Sequence, residues 1–144
     1  MPQLIKNILA LFVGIIIGGL VNMGLVTIGP MIIAPPPGVD MTDVESLGQT
    51  MELLRPQHFL FPFLAHALGT LVGATLAFIL AGRNPQLMAY GIGVFFLAGG
   101  IMMVRMIAAP LWFSIVDLTL AYLPMAWLAI VIGTRFKTRI KTGG

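Results

Sequence analysis

Long apolar stretches without charged residues limit most strongly what this chain can fold into. Apolar runs of this kind occur four times, over Ile8–Ile33, Phe59–Gly82, Leu87–Val104 and Leu111–Gly133. Only Asp117 interrupts the fourth run. A membrane-spanning helix needs about 17–25 apolar residues, so each run is long enough to cross a bilayer.

The composition excludes a soluble globular domain. Of the 144 residues, 58% are hydrophobic and only 9% are charged, whereas roughly 25% are charged in ordinary soluble domains. So few charged side chains could not cover the large relative surface of a small protein in water. The chain has no cysteine, which excludes disulfide bonds, thiolate metal sites and thiol catalysis.

We therefore predict an all-α membrane protein that forms one integral membrane domain, residues 1–144. Its transmembrane helices are expected at about 8–33, 59–82, 87–107 and 111–134. The connections at residues 82–86 and 108–110 are short, so the last three spans must be antiparallel neighbours. This arrangement is an up-down-up-down four-helix bundle. The hydrophobic region of a cleaved signal peptide has only about 7–15 residues. The first apolar run is longer, which predicts that it is retained as a membrane span.

The basic residues predict the orientation of this bundle. Lys6, Arg83 and the basic tail at residues 135–144 fall on one side of the predicted topology. The positive-inside rule places that side in the cytoplasm, so both termini are expected there. The tail is interpreted as an orientation device that contacts lipid headgroups, not as a nucleic-acid-binding patch.

The outer loop, residues 34–57, is expected to contain a short amphipathic helix. Thr42 and Glu45 have the spacing of a capping box at a helix start. Apolar residues then recur at helical spacing, at Val44, Leu47, Met51 and Leu54. Such a helix would lie on the outer membrane surface or cap the bundle.

Polar residues in the outer half of the predicted bundle form the candidate site, which consists of Asn22, His66, Arg105 and Asp117. Charged groups in hydrocarbon cost on the order of 3 kcal/mol each, so they should face the bundle interior and pair. We predict an ion pair between Arg105 and Asp117, which is either a structural lock or part of a functional site. His66 is either a proton-exchanging group or a buried histidine satisfied by one hydroxyl and one carbonyl.

Small residues and one proline predict how the spans pack. Gly14 and Gly18 in the first span, and Gly69 and Gly73 in the second, have a spacing that lets helices approach closely. We interpret both pairs as helix packing, not as ligand sites. Pro124 lacks a backbone N–H, which predicts a kink in the fourth span with a pocket beside it.

The motifs of soluble enzymes are missing from the sequence, which contains no Gly-x-Ser-x-Gly, Walker A, His-Glu-x-x-His or Rossmann glycine pattern. His58 and His66 lie about 12 Å apart by helical rise, too far to share one metal ion. His58 is expected to be solvated near the interface. We expect no cofactor, no metal and no nucleic-acid partner, and enzymatic activity stays undecided.

Three segments of the chain carry a resemblance: Pro-Pro-Pro-Gly-Val-Asp at 35–40, His58–Thr70 and Asp117–Trp127. In these segments the sequence resembles a family of small four-span bacterial inner-membrane proteins. The resemblance covers most of the chain and implies a bacterial inner-membrane protein with the same topology. It brings no assigned activity, so no catalytic residue is transferred.

Two functions fit the sequence. The first is an accessory membrane subunit that binds lipid or a partner, in which membrane lipids, a partner protein or a second copy would contact the glycine-rich helix faces. The alternative is a transporter or membrane enzyme that binds a small amphiphile. In that case Asn22, His66, Arg105 and Asp117 would line an outward-facing polar cavity.

Overall fold

A computed structural model describes residues 1–142 of the chain, with side chains through residue 139. Gly143, Gly144 and the side chain of Lys141, which belong to the predicted basic tail, lie outside the described residues. The described residues contain the helices α1 (Gln3–Ile32), α2 (Val44–Thr50), α3 (Leu60–Leu80), α4 (Pro85–Met106), α5 (Leu111–Leu120) and α6 (Leu123–Thr142). Short 3₁₀ helices at Met51–Leu53 and Pro56–Phe59 lie between α2 and α3.

Within the part of the chain that the structure describes, four helical segments are long and apolar enough to cross a membrane: Gln3–Ile32, Pro56–Leu80, Pro85–Ile107 and Leu111–Arg139. The predicted all-α, four-span membrane fold is confirmed. The second span is central, because α3 packs against α1, α4 and α6. The buried cluster in the half of the bundle that holds the α3–α4 turn includes Ala74, Ala77 and Phe78 of α3 with Ala126 and Ala129 of α6.

Helices α1 and α3 approach each other nearly backbone to backbone through their glycines. A β-carbon at Gly18 would lie 2.6 Å from the Gly69 carbonyl oxygen, and one at Gly14 would lie 2.7 Å from that of Gly73. Only glycine leaves room for such a contact, which increases the van der Waals area shared by the two helices. These four glycines therefore pack within the chain, as the sequence predicts.

The inner ends of α1, α3 and α4 are joined by the side chain of Asn7. Its Oδ1 accepts hydrogen bonds from the backbone N–H groups of Gly82 and Arg83, at 2.9 and 3.1 Å, and its Nδ2 donates to the Arg83 carbonyl at 2.9 Å. The turn then enters α4 through Asn84, which has a left-handed φ of 50°, a conformation that asparagine tolerates better than most residues. The start of the chain and the α3–α4 turn consequently lie at the same end of the bundle.

The outer loop folds onto the bundle. Helix α2 is capped by Asp43, whose carboxylate accepts from the N–H groups of Glu45 and Ser46, so the predicted capping box at Thr42 is wrong. The backbone turns helical one residue later than predicted, and Thr42 instead donates its hydroxyl hydrogen to Asp40 at 2.6 Å. That hydrogen bond lowers the pKa of the Asp40 carboxyl below its usual value.

Apolar side chains of the loop attach it to the outer end of the bundle. Met51 is buried with Phe59 and Phe113, and Leu47 and Leu54 pack against the same cluster. The apolar face of α2 and the turn after it is therefore directed into protein. Of the two placements left open by the sequence, the loop adopts the one that caps the bundle.

The fourth span is broken, as Pro124 predicts. Helix α5 ends at Leu120 and α6 begins at Leu123, and the break falls at Ala121 and Tyr122. The Ala121 N–H still bonds to the Asp117 carbonyl at 2.9 Å. On the two sides of this break, Asp117 and Tyr122 both contact His66 of α3.

Candidate functional site

A fully buried carboxylate forms the centre of the polar site. Asp117 on α5 has no exposed surface, and both of its side-chain oxygens lie within hydrogen-bond distance of His66 Nδ1 on α3, at 2.8 and 2.9 Å. A carboxylate can only accept, so Nδ1 carries the hydrogen in this pair. The other ring nitrogen, Nε2, makes no hydrogen bond with the described residues.

Tyr122 completes this arrangement from the break in the fourth span. Its hydroxyl donates to Asp117 Oδ2 at 3.1 Å, and its ring stacks on the His66 imidazole with the centroids 5.8 Å apart. The phenol lies against Gly100 of α4, where a β-carbon would collide with the hydroxyl. Asp117 thus has two donors, and the imidazole is held by a hydrogen bond at its edge and a ring on its face.

A second buried polar group lies deeper on the same face of α3. The Thr70 side chain is 1% exposed, and its Oγ1 has no hydrogen-bond partner among the described residues. Residues separated by four positions are neighbours on one helix face, so Thr70 lies about one turn below His66. Polar character therefore continues inward from the His66–Asp117 pair.

A cavity of about 440 Å³ occupies the outer half of the bundle, and we refer to it as the outer cavity. It lies between four helices, and the outer loop covers it. The lining residues include Asn22 of α1, His66 of α3, Val104 of α4, Phe113 of α5 and Leu47 of the outer loop. Its walls are mostly apolar and include three methionines, Met23, Met41 and Met103. Among the described residues that line it there is no lysine, arginine, aspartate or glutamate.

The predicted site residues divide between three positions. Asn22 and His66 both line the outer cavity, while Asp117 lies behind the imidazole and does not. A β-carbon at Gly69 would lie 3.1 Å from that of Asn22, which places Asn22 beside the face of α3 that carries His66. The structure thus brings together three of the four predicted residues.

Arg105 does not belong to this group, and the predicted Arg105–Asp117 ion pair is wrong. Arg105 is exposed, and within the described residues Asp117 pairs with His66 alone. The reason is helix rotation. Gly100 of α4 faces Tyr122, and Arg105 lies about 140° around the helix from Gly100 at 3.6 residues per turn. From that face of α4, the Arg105 side chain does not reach Asp117.

The two histidines also differ from the expectations. His66 bonds a carboxylate, not a hydroxyl and a carbonyl. His58, expected to be solvated, is only 6% exposed. It accepts from the Arg55 N–H at Nδ1, at 2.9 Å, and donates from Nε2 to the Ala34 carbonyl at 3.2 Å. Both ring nitrogens are therefore used to tie the start of the outer loop to the segment that leads into α3.

The reasoning from the sequence missed Tyr122 as a member of the site. It lies in the predicted kink region, five residues after a buried acid and two before the proline. A tyrosine hydroxyl in an apolar span needs a partner, and the nearest acidic residue in the sequence is the obvious acceptor. The sequence therefore contains a signal that pairs Tyr122 with Asp117.

Together these features define a four-span helical membrane protein with an outer cavity and a buried histidine–aspartate pair at its wall. No protein-family model, curated protein or solved structure matches the chain. Function has to be inferred from the chemistry of the cavity.

Proposed function

We propose that this protein binds a small amphiphilic molecule in the outer cavity, with its apolar chain against the methionine and phenylalanine side chains and its polar group at His66. The observation that carries this proposal is the cavity itself. Its volume of about 440 Å³ falls within the roughly 300–1,000 Å³ of small-molecule sites. Mostly apolar walls with a few convergent polar groups are typical of such sites.

The His66–Asp117 pair supports a binding role for this wall of the cavity. An intramembrane carboxylate is costly, and a purely structural one needs only to be satisfied by donors. Here the carboxylate also fixes the orientation of an imidazole whose second nitrogen makes no hydrogen bond with the residues that the structure describes. Preorganised polar groups of this kind give a ligand a defined orientation at little entropic cost.

We further propose that the protein resides in a bacterial inner membrane with both termini in the cytoplasm. Lys6 and Arg83 are near Asn7, which joins the start of α1 to the α3–α4 turn. Arg135 lies on α6 at the same end of the bundle, two residues after Gly133, which packs against Phe78 near the end of α3. The positive-inside rule favours a cytoplasmic position for this end. The cavity would then open toward the outer leaflet, and the ligand would come from there.

Binding is the step shared by the two functions that the sequence left open, an accessory subunit that binds lipid and a carrier or enzyme for an amphiphile. Gly14, Gly18, Gly69 and Gly73 pack against one another inside the bundle, so these glycines are not available to a partner. The cavity is therefore the better supported binding surface, and the proposal specifies a ligand without assigning a reaction.

Filling the cavity tests this proposal. Gly19 lines the cavity and has open space where a β-carbon would be, and Gly24 on the same helix also has open space but does not line it. Single-chain probes with a diazirine in the alkyl chain and a hydroxyl, carboxylate or phosphocholine head would be crosslinked to the protein in nanodiscs, and labelled residues mapped by mass spectrometry.

We expect at least one probe to label Met103, which lines the outer cavity and is less exposed than Met23, in the wild type and in Gly24→Leu. This labelling should fall to background in Gly19→Leu. Equal labelling of all three proteins would show that the probes contact only the lipid-facing surface and would overturn the proposal.

A further inference from the structure

The polar corner of the outer cavity has a defined hydrogen-bonding character. Because Asp117 accepts the hydrogen of His66 Nδ1, a neutral imidazole presents a lone pair at Nε2. His66 is 18% exposed and lines the cavity, so this nitrogen is the accessible one. A ligand that meets His66 therefore meets an acceptor.

Asn22 supplies the complementary group. Its side chain makes no hydrogen bond within the described residues, it lines the same cavity, and it adjoins the His66 face of α3 at Gly69. An amide offers N–H donors as well as an acceptor oxygen. The corner between the two side chains thus suits a group that can donate one hydrogen bond and accept another.

The charges around this corner disfavour an anionic ligand. The Asp117 carboxylate lies directly behind the imidazole, and no lysine or arginine is among the described residues that line the cavity. Arg105, the cation nearest in sequence to the α4 wall, is exposed on another face of its helix. A second negative charge in this weakly screened region would be repelled by Asp117 without a compensating cation.

Resting on the function proposed above, we infer that the ligand is an uncharged, single-chain molecule with a hydroxyl head group, of the long-chain alcohol or alkylphenol class. The hydroxyl donates to His66 Nε2 and accepts from the Asn22 amide. Asp117 and Tyr122 act as positioning residues, since they hold the imidazole in the tautomer and orientation that leave Nε2 open. A methyl ether with the same alkyl chain has no hydrogen to donate to His66 Nε2. A fatty acid with the same chain carries a carboxylate, which Asp117 would repel.

Matched competitors test this inference. The hydroxyl-headed diazirine probe would be displaced by 1-dodecanol, dodecyl methyl ether or dodecanoate, with the protein in nanodiscs. We expect the alcohol to bind about threefold to tenfold more tightly than the ether, as one additional hydrogen bond allows. Dodecanoate should be the weakest competitor.

Variants locate the discrimination at His66. In His66→Phe the alcohol and the ether should compete equally, with the affinity for the ether unchanged. Because this change leaves Asp117 buried without its partner, the double variant His66→Phe with Asp117→Leu is measured beside it. Thr27→Val is the matched control, since Thr27 also lines the cavity but already donates its hydroxyl to the Met23 carbonyl, and it should keep the preference for the alcohol.

The outcomes separate this inference from the function on which it rests. If the ether or dodecanoate competes as well as the alcohol while Gly19→Leu still abolishes labelling, the hydroxyl assignment is overturned and ligand binding in the cavity stands. If no probe labels the cavity in a manner sensitive to Gly19→Leu, both fail. Loss of the alcohol preference in His66→Phe and its retention in Thr27→Val support the assignment.

Discussion

At the scale of single residues, a carboxylate inside a membrane bundle must find donors within the protein, because hydrocarbon offers none. Asp117 finds them in His66 and Tyr122. Neither partner is a permanently charged cation. The pair can therefore persist with a neutral imidazole, and its second nitrogen remains available to a ligand.

The His66–Asp117 pair predicts a non-additive response to mutation. Removing one partner from a buried pair costs about 3–5 kcal/mol, whereas replacing both with apolar residues is often nearly neutral. His66→Phe leaves the buried Asp117 carboxylate without this donor and should destabilise the protein strongly. Asp117→Leu leaves a neutral, partly exposed imidazole and should destabilise it less, and the double variant should lose much less stability than the sum of the two. Thermal unfolding in detergent measures this cycle. Arg105→Met, the control, should change stability by no more than about 0.5 kcal/mol.

Additive losses in that cycle would mean that the two side chains do not interact. A large effect of Arg105→Met would restore the ion pair that the sequence predicted and contradict the arrangement described here.

Thr70 provides a second prediction at this scale. Its buried hydroxyl has no partner among the described residues, and such a group costs roughly 1–3 kcal/mol. Thr70→Val keeps the shape and removes the hydroxyl, so it should leave the unfolding temperature unchanged or raise it. Thr75→Val is the comparison, because that hydroxyl already donates to the Leu71 carbonyl. A clear destabilisation specific to Thr70→Val would show that the hydroxyl is satisfied.

At the scale of helices, the packing of α1 on α3 depends on the absence of side chains at the contact. Backbone atoms face each other at Gly18 and Gly69, and a main chain within a helix cannot move aside as a flexible side chain does. Overpacking of this kind usually costs about 1–3 kcal/mol. The contact also sets the position of Asn22, and through it the shape of the outer cavity.

Gly18→Ala should therefore lower the stability of the bundle by about 1–3 kcal/mol. Gly24→Ala, at a position where a β-carbon meets nothing within 4 Å, should be neutral or slightly stabilising, because alanine is the better helix former. Unfolding of both variants in the same detergent gives the comparison. Equal effects would show that α1 does not approach α3 at Gly18.

The same helices show what could be predicted from the sequence. The spans follow from runs without charge, and the inward faces of His66 and Asn22 follow from the glycines beside them. The rotation of α4 could not be predicted, because lipid and protein interior are both apolar and a span then has no hydrophobic periodicity. The predicted pairing of Arg105 with Asp117 rests only on their similar depth in the membrane. Tyr122 reaches Asp117 only because the helix breaks between them, and a proline predicts a kink but not its direction.

At the scale of the whole molecule, the ends of the bundle differ in charge and in construction. The inner end is closed by Asn7 at the α3–α4 turn, and the outer end by a folded loop tied down by His58. The residues that line the outer cavity all lie in the half of the bundle that the outer loop covers. A ligand from one side of the membrane would have access, and one from the other side would not.

Single cysteines test this polarity, because the chain has none of its own. Gln49→Cys in the outer loop should react with a membrane-impermeant maleimide in intact bacterial cells. Gln86→Cys, exposed near the α3–α4 turn, should react only after the membrane is permeabilised. The reverse pattern would invert the proposed orientation and place the cavity toward the cytoplasm.

The link between Asn7 and the α3–α4 turn also bears on the order of assembly during synthesis. Helix α1 is made before α3, yet the main-chain groups that Asn7 binds belong to Gly82 and Arg83, which follow α3. Its glycine face likewise matches residues of α3. Until α3 and the α3–α4 turn have been made, α1 must remain in the bilayer without these contacts, in keeping with insertion before association. Helix α1 is long and apolar enough to span the membrane by itself. Its docking on α3 then adds Gly19 and Asn22 to the wall of the outer cavity.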